Sequence, residues 1–302
     1  MKATIGLSQQ GFLILFSEVN LLQGADPNMD LFSQAKYLDV NFAYMNVYKS
    51  YKNSQSIRPN EIQIKSGLSL FQLIDLDNNS LKQWVKILNK FVIRYCWQSE
   101  FELVKKIGKG ANASVYHVRV IKNIGKDSKR EQQGIDYALK MIKKNEIIYQ
   151  DDRILMIRNE IMTQRLLRGS QLIVELYKVF ESDNCIYLLM EYVKGGDLEK
   201  LVQSQVTNLL SEKQLKPIMA QLLEGVGHMH DNNIIHRDIK PQNVLVQYSI
   251  NKEIQIKLAD FGLAQQIKEN NFLTKKCGTP GYINFIHGSR NVAVWYRLQY
   301  EG

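Results

Sequence analysis

From residue 101 onward the sequence predicts an α+β chain in two lobes, strands first and helices after. Three observations carry that expectation. "FELVKKIGKGANASVYHVRV" and "IDYALKMIKK" are rich in β-formers and contain a Gly-rich turn, which makes three strands. "DRILMIRNEIMTQRLL" and "SEKQLKPIMAQLLEGVGHMH" instead space their apolar residues as helices do. Between the two, the buried strand "CIYLLMEYV" runs into the Gly-Gly turn "KGGDL", so the lobes join near residues 191–196.

The elements follow in order. Residues 1–98 form a strand-rich module in which "KYLDV", "AYMNVYKS" and "NEIQIKS" supply strands. "NNSLKQWVKILNKFVIRY" then switches to helical spacing, with Leu81, Trp84, Val85, Leu88 and Phe91 on one face. Ser80, with Gln83 three positions on, is its expected capping box. A strand-rich module closed by a Trp-bearing helix is similar to pleckstrin-homology domains. In the second part, residues 101–302, the helix over 211–230 is expected to turn Leu215, Ile218, Met219, Leu222, Val226 and Met229 inward. "NVLVQ" and "EIQIKLAD" follow it as short strands. No repeat and no low-complexity segment interrupts the order.

Composition narrows the function classes. A chain of 302 residues with 45% hydrophobic content has enough apolar mass for one large or two modest cores. Its formal charge of +9 favours anionic partners, but no dense Lys/Arg tract or aromatic–basic cluster marks a nucleic-acid site. Cys96, Cys185 and Cys277 are odd in number and lack ligand spacing, which fits a reduced, cytoplasmic protein. "GFLILF" is too short for a signal segment, and no apolar run is long enough to span a bilayer.

The residues able to do chemistry are individually unremarkable. Gly108 and Gly110 lie in a strand-turn-strand whose backbone N–H groups can approach phosphate oxygens, yet a two-Gly turn is more often a plain hairpin. Lys140 in "YALK" can neutralise phosphates, although a strand lysine is usually a solvated charge, and Glu160 follows twenty residues later on a helix. "HRDIKPQN", residues 236–243, crowds a His, an Arg, an Asp, a Lys and an Asn into eight positions. "LADFGLA" brings Asp260 after a spacing that suits a short hairpin, so Asn243 and Asp260 can offer two oxygens to Mg²⁺.

Together these segments resemble the protein-kinase signature, in the family's order and over residues 101 to about 283. The matching stretches are "GKGANASVY", "YALK", Glu160, "MEYVKGGDL", "HRDIKPQN", "DFG" and "CGTPGYI". The resemblance implies a bilobal kinase fold, with a strand-rich small lobe and a helical large lobe. It implies ATP and Mg²⁺ as cofactors and Ser/Thr side chains of proteins as acceptors. The turn Ile107, Gly108, Lys109 and Gly110 would cover the ATP phosphates. Lys140 would meet the α/β-phosphates and Glu160 would hold that lysine. Val115, Ala138 and Leu245 would sandwich adenine with Met190 at the back, Glu191 and Val193 would hydrogen-bond it, and Asp197 would sit near the ribose. Asp238 would take or orient the acceptor proton, Lys240 would balance charge, and Asn243 and Asp260 would hold the metal. His236 would be structural. Lys240 and Thr279 are of the serine/threonine type, and Arg237 implies a loop switched by phosphorylation, with Thr274 as the site for an upstream kinase.

Three departures accompany the resemblance. Ala113 stands for the third glycine of the turn, which is tolerable at negative φ. Gln164 stands where the family favours an apolar side chain. After "CGTPGYI" the family continues with Ala-Pro-Glu and further helices, whereas this chain reads "NFIHGSRNVAVWYRLQYEG", with Ile286 at the Glu position. The large lobe is therefore expected to be incomplete, with the apolar underside of the helix over 211–231 exposed. That is the basis for an alternative function, a nucleotide-binding scaffold without turnover. The N-terminal module has no Lys or Arg over residues 11–35, so binding of membrane phosphoinositides is disfavoured against a protein-contact role.

Overall fold

The computed structural model describes residues 3–7, 12–17, 36–48, 51–52, 57–58, 60–74, 78–110, 113–121, 134–144, 151–206, 209–267 and 278–279. Two compact units are present: Met1–Ile154 with Glu175–Tyr192, and Leu155–Val174 with Val193–Gly302. The chain thus passes between units after Tyr192, inside the segment expected to join the lobes.

The first unit is built on strands. β1 (Ala3–Leu7), β2 (Phe12–Ser17) and β3 (Lys36–Asp39) make one antiparallel sheet, and β5 (Tyr51–Lys52) and β6 (Ile57–Arg58) a small second one. The main sheet has nine strands. It takes β4 (Tyr44–Tyr48), β7 (Glu61–Ser66), β8 (Ser69–Ile74) and β9 (Ile93–Arg94) from the first hundred residues. The remaining five are β10 (Phe101–Lys109), β11 (Ala113–Val120), β12 (Asp136–Lys143), β13 (Leu176–Glu181) and β14 (Cys185–Glu191). Their order is β10-β11-β12-β14-β13-β9-β4-β7-β8.

Helix α1 (Asn78–Leu88) packs on this sheet, with Leu81 and Leu88 buried beside Met45, Ile62 and Ile64, and Trp84, Val85 and Phe91 at the rim. The expected helix was longer at its C-terminal end. It stops at Leu88 because the chain tightens there, with Phe91 N–H donating to the Leu88 carbonyl at 2.9 Å. Ile93 then donates to the Ala43 carbonyl at 2.7 Å and enters the sheet as a strand. Ser80 lies inside the helix and not at its cap. A second core, Phe101, Val118, Leu139, Phe180, Tyr187 and Leu189, covers one face of β10–β14. Alternation along β11, β12 and β14 then puts Val115, His117, Ala138, Lys140, Leu188 and Met190 on the other face, because Val115 pairs with Lys140 and Ala138 with Met190.

The second unit is organised by a helix against a hairpin. α4 (Glu212–Asp231) packs on β17 (Ile254–Leu258), which pairs antiparallel with β16 (Val244–Tyr248). Around them lie most of α2 (Asp151–Leu166), the short α3 (Leu198–Gln203), and the pair β15 (Ile234–Ile235) and β18 (Gln265–Gln266). Ile218, Met229, Ile234, Val244, Val246, Ile256, Leu258 and Phe261 form the core, with Leu222 and Val226 against it. Leu215 and Met219, expected inward, are exposed, and with Leu223 they form a stripe at four-residue spacing. Gly225 lets α4 sit close, since a Cβ there would lie 3.2 Å from Leu258 Cδ1. Cys96 and Cys185 are free thiols, and among the described residues no helix is long and apolar enough to cross a membrane.

Candidate active site

The segment after α4 carries the crowded octapeptide. Asn233 and Arg237 both take left-handed backbone, φ 56° and 66°, and fold the chain back on itself. His236 is buried and hydrogen-bonded at both ring nitrogens: Nδ1 accepts from the Asp238 N–H at 3.3 Å and Nε2 donates to the Ala259 carbonyl at 3.1 Å. That pairing fixes the neutral Nε2–H tautomer. Burial, the largest influence, lowers the His236 pKa, and the Ala259 bond and the charges of Asp260 and Asp238 only partly offset it. The ring also lies 5.0 Å from that of Phe261.

Asp238 is the centre of the arrangement. Its Oδ1 accepts from the Thr279 N–H at 3.0 Å and from Thr279 Oγ1 at 2.6 Å. Its Oδ2 accepts from Lys240 Nζ at 2.8 Å and from Asn243 Nδ2 at 3.0 Å. Lys240 Nζ also donates to Thr279 Oγ1 at 2.6 Å. Burial pushes the Asp238 carboxyl up, but Lys240, Thr279 and Asn243 outweigh it and hold the carboxyl below its ordinary range. The carboxylate is therefore ionised at neutral pH and fixed in orientation.

Asn243 ties this loop to the next strand. Its Nδ2 donates to the Asp238 carbonyl at 2.8 Å and its own carbonyl accepts from the Ala259 N–H at 2.9 Å. The amide nitrogen is thereby committed to Asp238, and the oxygen is the end a cation would take. Asp260 follows with left-handed backbone, φ 63°, ahead of the single turn Phe261–Leu263. A Cβ on Gly262 would lie 3.5 Å from Asp260 Oδ1 and 3.7 Å from Glu160 Oε2, so two carboxylate oxygens flank that glycine. Arg237 Nε donates to the Leu263 carbonyl at 2.6 Å, fastening the same turn.

The remaining expected residues divide between the units. In the second unit Val193 is buried, and Asp197 forms a β-bridge with Leu245. Gly195 and Gly196 allow this: a Cβ on Gly195 would fall 2.2 Å from the Val246 carbonyl oxygen, and Gly196 takes φ +79° while accepting from the Val246 N–H at 2.8 Å. Asp197 also caps α3, with Oδ1 accepting from Lys200 N–H at 2.9 Å. In the first unit Ile107, Gly108, Lys109 and Gly110 end β10 at the turn, where Gly110 N–H donates to the Ala113 carbonyl at 2.8 Å. Neither Gly108 nor Gly110 has positive φ, and a Cβ at either would meet only ordinary contacts of 3.5 Å or more, so the fold alone does not demand glycine. Ala113 opens β11 without positive φ, which removes the strain it could have carried. Val115, Ala138, Lys140 and Met190 share a face, and Glu191 ends β14. Gln164 is buried and directs its amide at the Val174 carbonyl, 3.5 Å away.

Residues 101–284 match the protein kinase domain family. This chain belongs to the protein kinase family. Among its relatives, the serine/threonine-protein kinase DCLK3 of Mus musculus is 41% identical over 147 residues, 49% of this chain and 18% of the relative. The serine/threonine-protein kinase cds1 of Schizosaccharomyces pombe is 31% identical over 256 residues, covering 80% of this chain and 50% of the relative. The serine/threonine-protein kinase PLK4 of Drosophila virilis is 32% identical over 187 residues, 61% of this chain and 22% of the relative. The chain therefore spans half or less of these curated kinases. Within the kinase domain the sequence pattern treated Thr279 only as a class marker. The structure gives it two bonds to Asp238, a role carried by the "GTP" motif but separated from Asp238 by 41 residues. Thr274 and the segment after Thr279 lie outside the described residues.

Proposed function

We propose that this chain is an ATP- and Mg²⁺-dependent kinase that phosphorylates Ser and Thr hydroxyls of proteins. The observation that carries the proposal is the Asp238 carboxylate, held ionised by four donors from Lys240, Asn243 and Thr279. A carboxylate oxygen so oriented can take up a hydroxyl proton as a base, or align that hydroxyl for in-line attack. Lys240, 2.8 Å from that carboxylate, would balance the negative charge of the transferring phosphoryl group. Asn243 Oδ1 and Asp260 fit Mg²⁺, which takes one or two carboxylates along with substrate phosphates. Among the described residues no cluster of three or more His, Cys, Asp or Glu side chains competes as a metal cage. When bound, MgATP supplies the γ-phosphoryl group and leaves as ADP.

The roles set out above for Ile107, Gly108, Lys109, Gly110, Val115, Ala138, Lys140, Glu160, Met190, Glu191, Val193, Asp197 and Leu245 belong to the same proposal. Its support in the first unit is the shared face of Val115, Ala138, Lys140 and Met190, and a turn whose glycines the fold does not require. We place the protein in the cytoplasm, acting on protein substrates. Thr274 is proposed as the phosphosite for an upstream kinase, with the terminal nitrogens of Arg237 to receive the phosphate.

Radiolabelled γ-phosphate transfer from MgATP to a generic protein substrate tests the proposal, with nucleotide-dependent thermal shift run in parallel. Asp238→Asn is expected to keep the nucleotide shift and lower transfer by roughly 10²–10⁴-fold. Wild-type chain that shifts with MgATP and transfers nothing would replace the kinase by a nucleotide-binding scaffold.

A further inference from the structure

The kinase family match begins at Phe101, yet the sheet of the first unit does not begin there. β9 runs parallel to β13, pairing Ile93 with Val179 and Arg94 with Phe180, and parallel to β4, pairing Ile93 with Tyr44. Two residues of parallel pairing are weak support by themselves. Side chains reinforce them on both sides. Tyr44 Oη donates to Glu181 Oε2 at 2.6 Å, and Lys144 forms an ion pair with the same carboxylate. Glu100 bridges Arg94, at 2.8 Å, and Lys178. The Tyr44 and Tyr95 rings stack at 5.1 Å. Burial, then the bond to Glu181, raises the Tyr44 pKa, so the hydroxyl remains a donor. Ile93, Val179 and Phe180 are buried beneath these contacts.

We propose that β13 is a docking edge for this chain's own N-terminal region, so that β4, β7, β8, α1 and β9 fold and open with strands β10–β14 as one cooperative unit. Without β9, β13 would present an open edge of unpaired N–H and C=O groups, a liability that sheets cover or guard. Here the cover comes from the chain's own β9, more than eighty positions away, and polar side chains tie it down: Glu100 joins Arg94 of β9 to Lys178 of β13, and Glu181 of β13 takes both Lys144 and the Tyr44 hydroxyl of β4. β13 pairs in turn with β14 along Leu176–Glu181, so loosening the seam loosens the strand that ends at Glu191. The inference stands apart from phosphoryl transfer, because it concerns cooperativity and would hold in an inactive chain.

Hydrogen–deuterium exchange on the full 302-residue chain tests it. In the wild type, peptides covering 44–48, 61–66 and 176–181 should open together, in a single correlated envelope under conditions where opening limits exchange. In the double variant Tyr44→Phe, Arg94→Ala, exchange should rise by roughly tenfold in 44–66 and also in 176–191. Acceleration confined to 44–66 would overturn the proposal. So would separate envelopes in the wild type, a result that needs no variant to fold.

Discussion

His236 shows how a residue of the crowded octapeptide can brace the candidate site through backbone groups alone. Its imidazole is 1% exposed, and both nitrogens are engaged by backbone groups of the two segments that carry Asp238 and Asp260. Because its folded pKa is depressed, the unfolded chain takes up the proton first. The stability it contributes is complete above the ordinary histidine value, about 6.5, and is lost as pH falls from there through the lowered value. Asp238, also depressed, loses its contribution only below the ordinary carboxylate range, about 3.9. Urea unfolding of wild type and His236→Gln should therefore converge as pH falls from 7.5 to 5.5, with the wild type losing more. Parallel lines across that interval would show that the ring is not held neutral. The residues of "HRDIKPQN" were legible because they are contiguous and each must serve one small volume. The motif around Thr279 was legible, but its bonds to Asp238 were not, because the two residues lie 41 positions apart.

At the scale of elements, backbone closeness does most of the positioning. Gln221 on α4 joins helix to hairpin: Nε2 donates to the Ile254 carbonyl at 3.0 Å and Oε1 accepts from the Ile256 N–H at 3.1 Å. Gln221→Ala leaves both β17 groups without those bonds and should destabilise by about 2 kcal/mol, read as a lower urea midpoint at unchanged slope. Gly195 is stricter. A Cβ there would lie 2.2 Å from backbone that cannot yield, so Gly195→Ala should cost about 3 kcal/mol or more and weaken nucleotide-dependent thermal shift. The helices and strands of residues 101–260 were legible because period and punctuation agree there. Two readings failed for physical reasons. The first helix lost its end when Ile93 found strand partners at Tyr44 and Val179. α4 carries two apolar stripes, and periodicity alone cannot say which of them meets β17.

Across the whole molecule, the strand-first, helix-second order predicted from 101 onward holds, while the continuity of the main sheet into the N-terminal hundred residues was not legible. A two-residue strand paired in parallel with residues more than eighty positions away leaves no local signature. That continuity also relocates the sheet's outer boundaries, and the two are protected unequally. β10 carries Glu102, Lys105, Lys106 and Lys109 and two register shifts, which discourage pairing with another chain. β8 reads "SLFQLI", without a charge, and leaves Leu70 and Ile74 58% and 52% exposed. Among the described residues it is the unguarded rim. Intermolecular strand addition in concentrated or warmed solutions should therefore start at β8. Leu70→Lys should lengthen the lag before light scattering rises while changing stability by less than about 0.5 kcal/mol. A polymer that grew equally fast from that variant would place its nucleus elsewhere.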